Sequence, residues 1–313
     1  MNTRVIVTDS RQIGLLEHLQ KSAPEVEITP ADQDRLREVI ADADILLGRA
    51  SREDLMEAKR LKWLHVNSAG VNYLPMDLME EMGIQLTNGR GLHGDTIGDH
   101  VMAFVLAHSR DLFTFDEYKR RGLWKRQGSV RELAGLTMGI IGAGAIGKKV
   151  ATRARAFDMK VLGTNRSGEP VEELDETHSF ADMDRVLAVS DYLVVACPLT
   201  EETGGLIGAR ELAQLPPGAF VINIARGEII DEGALVDALK SGNLGGAGLD
   251  VFTEEPLPED SPLWTTPGVM ITPHVAGRQS RAAERGAERF LHNLDRYIRG
   301  LPLDFRVDYR KGY

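Results

Sequence analysis

Apolar and polar positions alternate in blocks along the 313-residue chain, and the block lengths predict strands that alternate with helices. Near the N-terminus, short apolar runs at 5–7, 45–47, 63–66 and 84–86 read as buried strands. Between them, 12–19 and 35–40 carry apolar residues at helical spacing. A longer helix is predicted from Thr96, with Ile97, Val101, Phe104, Val105 and His108 on one face. Trp124 and the polar stretch 125–131 lead into a second block. There 137–141 predicts a strand, and 145–157 a helix that buries Ile146, Val150, Ala154 and Phe157. Further strands are predicted at 160–163, 192–196, 219–224, 246–249 and 269–271. Asp231 is a fitting N-cap, and Gly242 a stop, for a helix over 232–240. A last helix is predicted over 280–298. Strands alternating with helices imply parallel sheets covered on both faces. The length fits two α/β domains at about 100–200 residues each. The expected division is 97–277 for the second domain, and 1–96 plus 278–313 for the first, with the last helix returning to it.

Composition narrows the partners. Hydrophobic residues make up 42 % of the chain, enough for substantial cores, and the net charge is −10. With a pI of about 5.4, the chain is a poor match for nucleic acid or an anionic membrane, although a local basic site stays open. Cys197 is the one cysteine, so no intramolecular disulfide forms; it follows the apolar run 192–196 and is expected in the core. A cysteine-poor chain fits a reducing compartment. The start lacks a signal-peptide run, and no stretch approaches the roughly 18 apolar residues of a membrane span. The expected location is therefore the cytoplasm. No metal site is expected.

The sequence TMGIIGAGAIGKKV places Gly142, Gly144 and Gly147 in a G-x-G-x-x-G pattern, after a predicted strand and at the start of a predicted helix. That context is what a dinucleotide needs. The first glycine makes the tight turn, the second lets backbone approach a pyrophosphate, and the third lets helix and strand pack. The helix N-terminus, opening at Ala145 and Ile146, offers unpaired N–H groups and positive potential to an anion. A Rossmann-type nucleotide domain is expected. In the next strand, KVLGTNRSG, Asn165 occupies the place where many NAD sites carry an acid, and Arg166 and Ser167 follow it. Without that acid a 2′-phosphate is not repelled, and a guanidinium can pair with it. NADP(H) is the expected cofactor, with NAD(H) as the alternative.

Three later strand ends carry polar residues: Arg226 in VINIARGEIID, then Asp250, Glu254 and Glu255 in GLDVFTEEPLP, and His274 in VMITPHVAG. In open parallel sheets ligands bind beyond the carboxyl ends of the strands, so these residues are expected to converge on the cofactor. Taken together, GIIGAGAIG, the ACPLTEET loop at 196–203, NIARGEIID, GLDVFTEEPLPEDSPLW, TPHVAG and LHVNSAGVNYLP at 64–75 resemble the D-isomer-specific 2-hydroxyacid dehydrogenases over most of the chain.

The resemblance implies a flavodoxin-like substrate domain beside the Rossmann-type domain, both doubly wound, with a cleft between them. It implies interconversion of 2-keto acids and D-2-hydroxy acids by a homodimer. Arg226 matches the substrate-binding arginine, Glu255 its acidic partner and His274 the acid/base. Ser68, Ala69 and Gly70 match the segment that holds the substrate carboxylate. Cofactor contacts are implied at Thr96, Cys197, Pro198, Thr203, Ala225, Asp250, His274 and Gly277. Relatives that oxidise formate carry glutamine where Glu255 stands, so formate is not expected. With no regulatory segment after residue 313, a feedback-controlled phosphoglycerate dehydrogenase is not expected either. The chemistry asks for these residue types in its own right. Reduction of a keto acid needs a proton at oxygen, which an imidazole supplies near neutral pH, and a fork-shaped cation on the carboxylate. The alternative is a cofactor-sensing scaffold or corepressor of the same fold. The pocket for the substrate side chain stays open, with Leu74, Met76 and Trp264 as candidates.

Overall fold

The computed structural model describes residues 3–310 and falls into two α/β units. One unit runs to His93 and resumes at Gln279; the other is Gly94–Arg278.

The first unit holds β1 (Arg4–Val7), β2 (Glu27–Pro30), β3 (Ile45–Leu47), β4 (Trp63–His65) and β5 (Gln85–Thr87). They form one parallel sheet in the order β2-β1-β3-β4-β5, the flavodoxin-like arrangement. Buried Val5, Val7, Ile45, Leu47 and Trp63 face the helix Ala282–Ile298, whose Phe290 stacks on Trp63 at 5.1 Å between ring centroids. Burying an aromatic side chain of this size stabilises by about 1.5–3 kcal/mol. The opposite face packs Ile6, Leu46, Leu64 and Leu86 against Leu36, Leu55 and Met79.

The second unit holds β6 (Thr137–Ile141), β7 (Lys160–Asn165), β8 (Glu176–Ser179), β9 (Tyr192–Val195), β10 (Ala219–Asn223), β11 (Leu244–Leu249) and β12 (Val269–Ile271). Their order is β12-β11-β10-β9-β6-β7-β8, all parallel. This is the Rossmann order with one further strand at the β12 edge, and it reverses between β6 and β9. Asp231 caps the helix Glu232–Lys240 by accepting from the Ala234 amide at 3.0 Å.

Several expectations are corrected. The helix after the glycine turn ends at Arg155, and Phe157 is exposed; Asp158 turns the chain at φ 57° and Met159 fills the core instead. The long helix starts at Gly94, so Thr96 lies in its first turn. The predicted 12–19 helix is two short ones, Ser10–Ile13 and Leu16–Ser22. Strand β11 begins at Leu244, two residues before the apolar run. Strands β2 and β8 are additional, each at a sheet edge where half-exposed polar residues hide the strand pattern.

Candidate active site

The glycine turn joins β6 to the helix Ala145–Arg155. Gly142 has φ 103°, and a Cβ there would lie 2.5 Å from the Cys197 amide nitrogen. Only glycine permits that turn and the close approach of the loop after β9. A Cβ on Gly147 would lie 2.5 Å from the Gly142 carbonyl oxygen, whereas one on Gly144 would meet open space. Gly144 and Ala145 are exposed at the head of the helix, and Ile146 is half-buried. The cradle sits at the switch point of the sheet and fits a pyrophosphate. Its neighbouring wall is the loop after β9. Cys197 is buried there, which pushes its thiol up to about 12 and leaves it a packing residue. Thr203 folds the loop: its hydroxyl donates to the Pro198 carbonyl at 2.7 Å and accepts from the Thr200 amide at 2.8 Å.

At the end of β7, the Asn165 side chain shapes its own turn. Its oxygen accepts from the Gly168 amide at 2.6 Å, and its amide donates to the Glu169 carbonyl at 2.7 Å. Ser167 donates to the same Asn165 oxygen at 3.3 Å. Arg166 is half exposed and lies 3.7 Å from Glu202, which comes from the loop after β9. Sequence reasoning missed Glu202 because only the fold brings that loop beside Arg166.

The ends of β10, β11 and β12 converge. Gly227 packs so closely on the 252–253 backbone that a Cβ would lie 1.9 Å from the Phe252 carbonyl carbon. That contact sets Arg226 beside the loop carrying Glu255. Buried Asn223 ties the turn, donating to the Arg226 carbonyl at 2.9 Å and accepting from the Ala225 amide at 3.0 Å. The Arg226 guanidinium donates to the Ala225 carbonyl at 2.7 Å and is half-buried. His274, at φ 51°, places Nδ1 2.7 Å from Glu255 Oε2, while Glu255 Oε1 accepts from the Phe252 amide at 3.1 Å. A carboxylate only accepts, so Nδ1 carries the proton and Nε2 is left for chemistry.

Asp250 is fully buried beneath this loop. Its oxygens accept from the amides of Val275 at 2.9 Å and Ala276 at 2.8 Å, and from the Thr272 hydroxyl at 2.5 Å. Its own carbonyl accepts from the His274 amide at 2.8 Å. The carboxylate expected at the cofactor therefore spends its hydrogen bonds on the loop that carries His274; Gly277 follows at the end of that loop. Thr272 and Asn223 escaped sequence reasoning, because a threonine or asparagine at a strand end resembles any turn residue.

In the first unit, Ser68, Ala69 and Gly70 form the loop after β4. The Asn88 side chain donates to the Ala69 carbonyl at 2.7 Å, and Ser68 Oγ lies 2.7 Å from the Tyr73 hydroxyl. Of the pocket candidates, Leu74 is buried, Met76 half-buried and Trp264 exposed, its indole N–H donating to the Pro258 carbonyl at 2.8 Å.

The model of the D-isomer specific 2-hydroxyacid dehydrogenase, NAD binding domain, matches residues 102–276. The chain belongs to this family. It is 35 % identical over 292 residues to a glyoxylate reductase of Thermococcus gammatolerans, covering 88 % of this chain and 87 % of that one. A solved family member from Aeromonas salmonicida superposes with a TM-score of 0.89 at 35 % identity, over 99 % of this chain and 100 % of the other. An NADPH-dependent glyoxylate/hydroxypyruvate reductase of Sinorhizobium meliloti, solved with NADP and sulfate, has a TM-score of 0.86 at 30 % identity, with both chains covered fully. The chain is thus a nicotinamide-dependent 2-hydroxyacid dehydrogenase of the 2-keto acid reductase kind. Among the described residues, no cluster of three or more His, Cys, Asp or Glu could hold a metal ion, and no helix is long and apolar enough to cross a membrane.

Proposed function

We propose that this dehydrogenase reduces a small 2-keto acid of glyoxylate or hydroxypyruvate size to the D-2-hydroxy acid, with NADPH preferred over NADH. The observation that carries the reading is the His274–Glu255 pair at 2.7 Å, set at the strand ends beside Arg226. The substrate size follows the glyoxylate reductase of Thermococcus gammatolerans. The D configuration rests on family membership.

Residues Gly142, Gly144, Ala145, Ile146 and Gly147 would hold the pyrophosphate, Asn165, Arg166 and Ser167 the adenosine end, and Thr96, Pro198, Thr203, Ala225 and Gly277 the rest of the cofactor, with buried Cys197 and Asp250 supporting the loops around it rather than binding it. What a bound nicotinamide supplies is hydride transfer to the keto carbon. The protein positions and polarises. Arg226 grips the carboxylate with its planar fork and draws charge toward the carbonyl oxygen. For Ser68, Ala69 and Gly70 in the first unit, a role with the substrate rests on the family resemblance alone. The His274 imidazolium releases its Nε2 proton to the oxygen as charge develops there. Glu255 keeps the ring oriented by accepting from Nδ1 throughout. In the oxidative direction the neutral ring takes the proton back.

The assembly we propose is a cytoplasmic homodimer. Supporting it, Leu112, Phe113 and Trp124 are exposed along one stretch of the second unit, Trp124 at 92 %. A scaffold without turnover is the weaker reading, because it needs no acid/base pair and several similar proteins are named as reductases.

The test is oxidation of NADPH in the presence of glyoxylate, hydroxypyruvate and bulkier keto acids, with Arg226→Lys alongside. Lysine keeps the charge and loses the fork, so the KM for the keto acid should rise about tenfold or more, with kcat reduced. Unchanged kinetics would remove Arg226 from the substrate site.

A further inference from the structure

His100 lies on the helix Gly94–Ser109, outside every motif discussed above. Its side chain is one-fifth exposed and its ring meets Phe104 edge to face at 4.8 Å. Nε2 is 3.0 Å from the Thr272 hydroxyl oxygen and 3.8 Å from Asp250 Oδ1. The Thr272 hydroxyl has one proton, and that proton goes to Asp250 Oδ1. Thr272 can then only accept from His100, which fixes the ring as the tautomer with its proton on Nε2. A directed chain results: His100 donates to Thr272, Thr272 to Asp250 Oδ1, and the Asp250 carboxylate holds the Val275 amide at Oδ1 and the Ala276 amide at Oδ2. Those two amides follow His274 directly.

We infer that His100 is a positioning residue for the reaction: through Thr272 and Asp250 it sets the loop that aims His274. The inference rests on the proposed acid/base role of His274. The physical reason is saturation of a buried carboxylate. Without the donor at position 100, the Thr272 hydroxyl is free to rotate toward another acceptor. Asp250 Oδ1 then loses its shortest hydrogen bond and can shift toward the Val275 amide. A small displacement of a loop that presents a proton donor costs turnover more than substrate binding.

The test compares His100→Phe, which keeps an aromatic edge on Phe104 but removes the donor, with His100→Gln, whose amide returns a donor near Nε2. His100→Phe should lower kcat about tenfold, leave the KM for the keto acid and the Kd for NADPH within about twofold, and leave Tm nearly unchanged. His100→Gln should recover most of the lost kcat. Long-range proton–nitrogen correlation of resting enzyme should show the proton of His100 on Nε2, and His100→Phe should move the His274 imidazole resonances. Wild-type kcat in His100→Phe, equal losses in both variants, or a His100 proton on Nδ1 would overturn the inference. Should His100→Phe not fold, Thr272→Val deletes the bridging hydroxyl and is judged by the same readouts. Wild-type turnover in His274→Gln would instead overturn the site reading. The tautomer and the resonance shifts need no turnover, so the two failures are distinguishable.

Discussion

In the proposed reading Arg166 carries the choice of cofactor, and its surroundings set how strong that choice is. The residue is half exposed and shares its position with Glu202 at 3.7 Å. A 2′-phosphate would compete with that carboxylate for the guanidinium, and solvent and salt weaken both pairs. Arg166→Ala should therefore lower kcat/KM with NADPH about tenfold or more and change it little with NADH. Glu202→Gln should shift the ratio further toward NADPH by a few-fold, because it removes a repelling charge. Comparing kcat/KM for both cofactors at low and high salt checks the pair, and a Glu202→Gln ratio equal to wild type would show that the carboxylate does not reach the cofactor. At this scale the sequence was informative through sets of residues rather than single ones. Arg226, Glu255 and His274 are each common loop or turn residues, and they stood out because together, downstream of the glycine motif, they resemble one dehydrogenase family. Asp250 stood out for the same reason, but its three hydrogen bonds to the 272–276 loop depend on atoms that no motif encodes.

Helices and strands are fixed mainly by burial, and one histidine exposes that dependence to pH. His108, near the end of Gly94–Ser109, stacks on Phe220 at 4.2 Å and lies 3.1 Å from the Tyr192 hydroxyl. Burial lowers its pKa to about 4, helped by the nearby Arg131 charge. In the unfolded chain the ring titrates at its ordinary value near 6.5. Between those two values the unfolded state binds the extra proton, so the contribution of this group falls as pH drops from about 6.5 toward 4. Buried His65, lowered to about 3 mainly by loss of solvent, adds a loss of the same sign in the first unit. His108→Phe should keep the stack and flatten the fall of Tm between pH 7 and 4; parallel curves for the variant and the wild type would contradict this. The strands most easily read from the sequence were the central ones, such as β9, whose four residues are all buried. β2 and β8 were invisible for the opposite reason, since a half-exposed edge strand like Glu176–Ser179 alternates weakly and contains a charge. The helix after the glycine turn was legible to within two residues. Its last turn was not, because Asp158 in a left-handed conformation, rather than an apolar pattern, ends it.

For the whole molecule, the open matters are assembly and turnover. Leu112, Phe113 and Trp124 expose apolar surface on the second unit, which the proposed dimer would cover. A dimer should be seen by light scattering at micromolar concentration, and Phe113→Asp with Trp124→Glu should shift it to monomer without unfolding either unit. A monomeric wild type would remove the dimer from the account. The measurement that tests the central claim most directly is keto-acid-dependent NADPH oxidation by the wild type and by His274→Gln, with the cofactor Kd measured in parallel. The account predicts turnover of glyoxylate or hydroxypyruvate by the wild type. It also predicts a fall of roughly 10²–10⁴-fold in His274→Gln, with cofactor affinity preserved. Tight cofactor binding with no consumption on any keto acid, or a His274→Gln enzyme that turns over like the wild type, would contradict it.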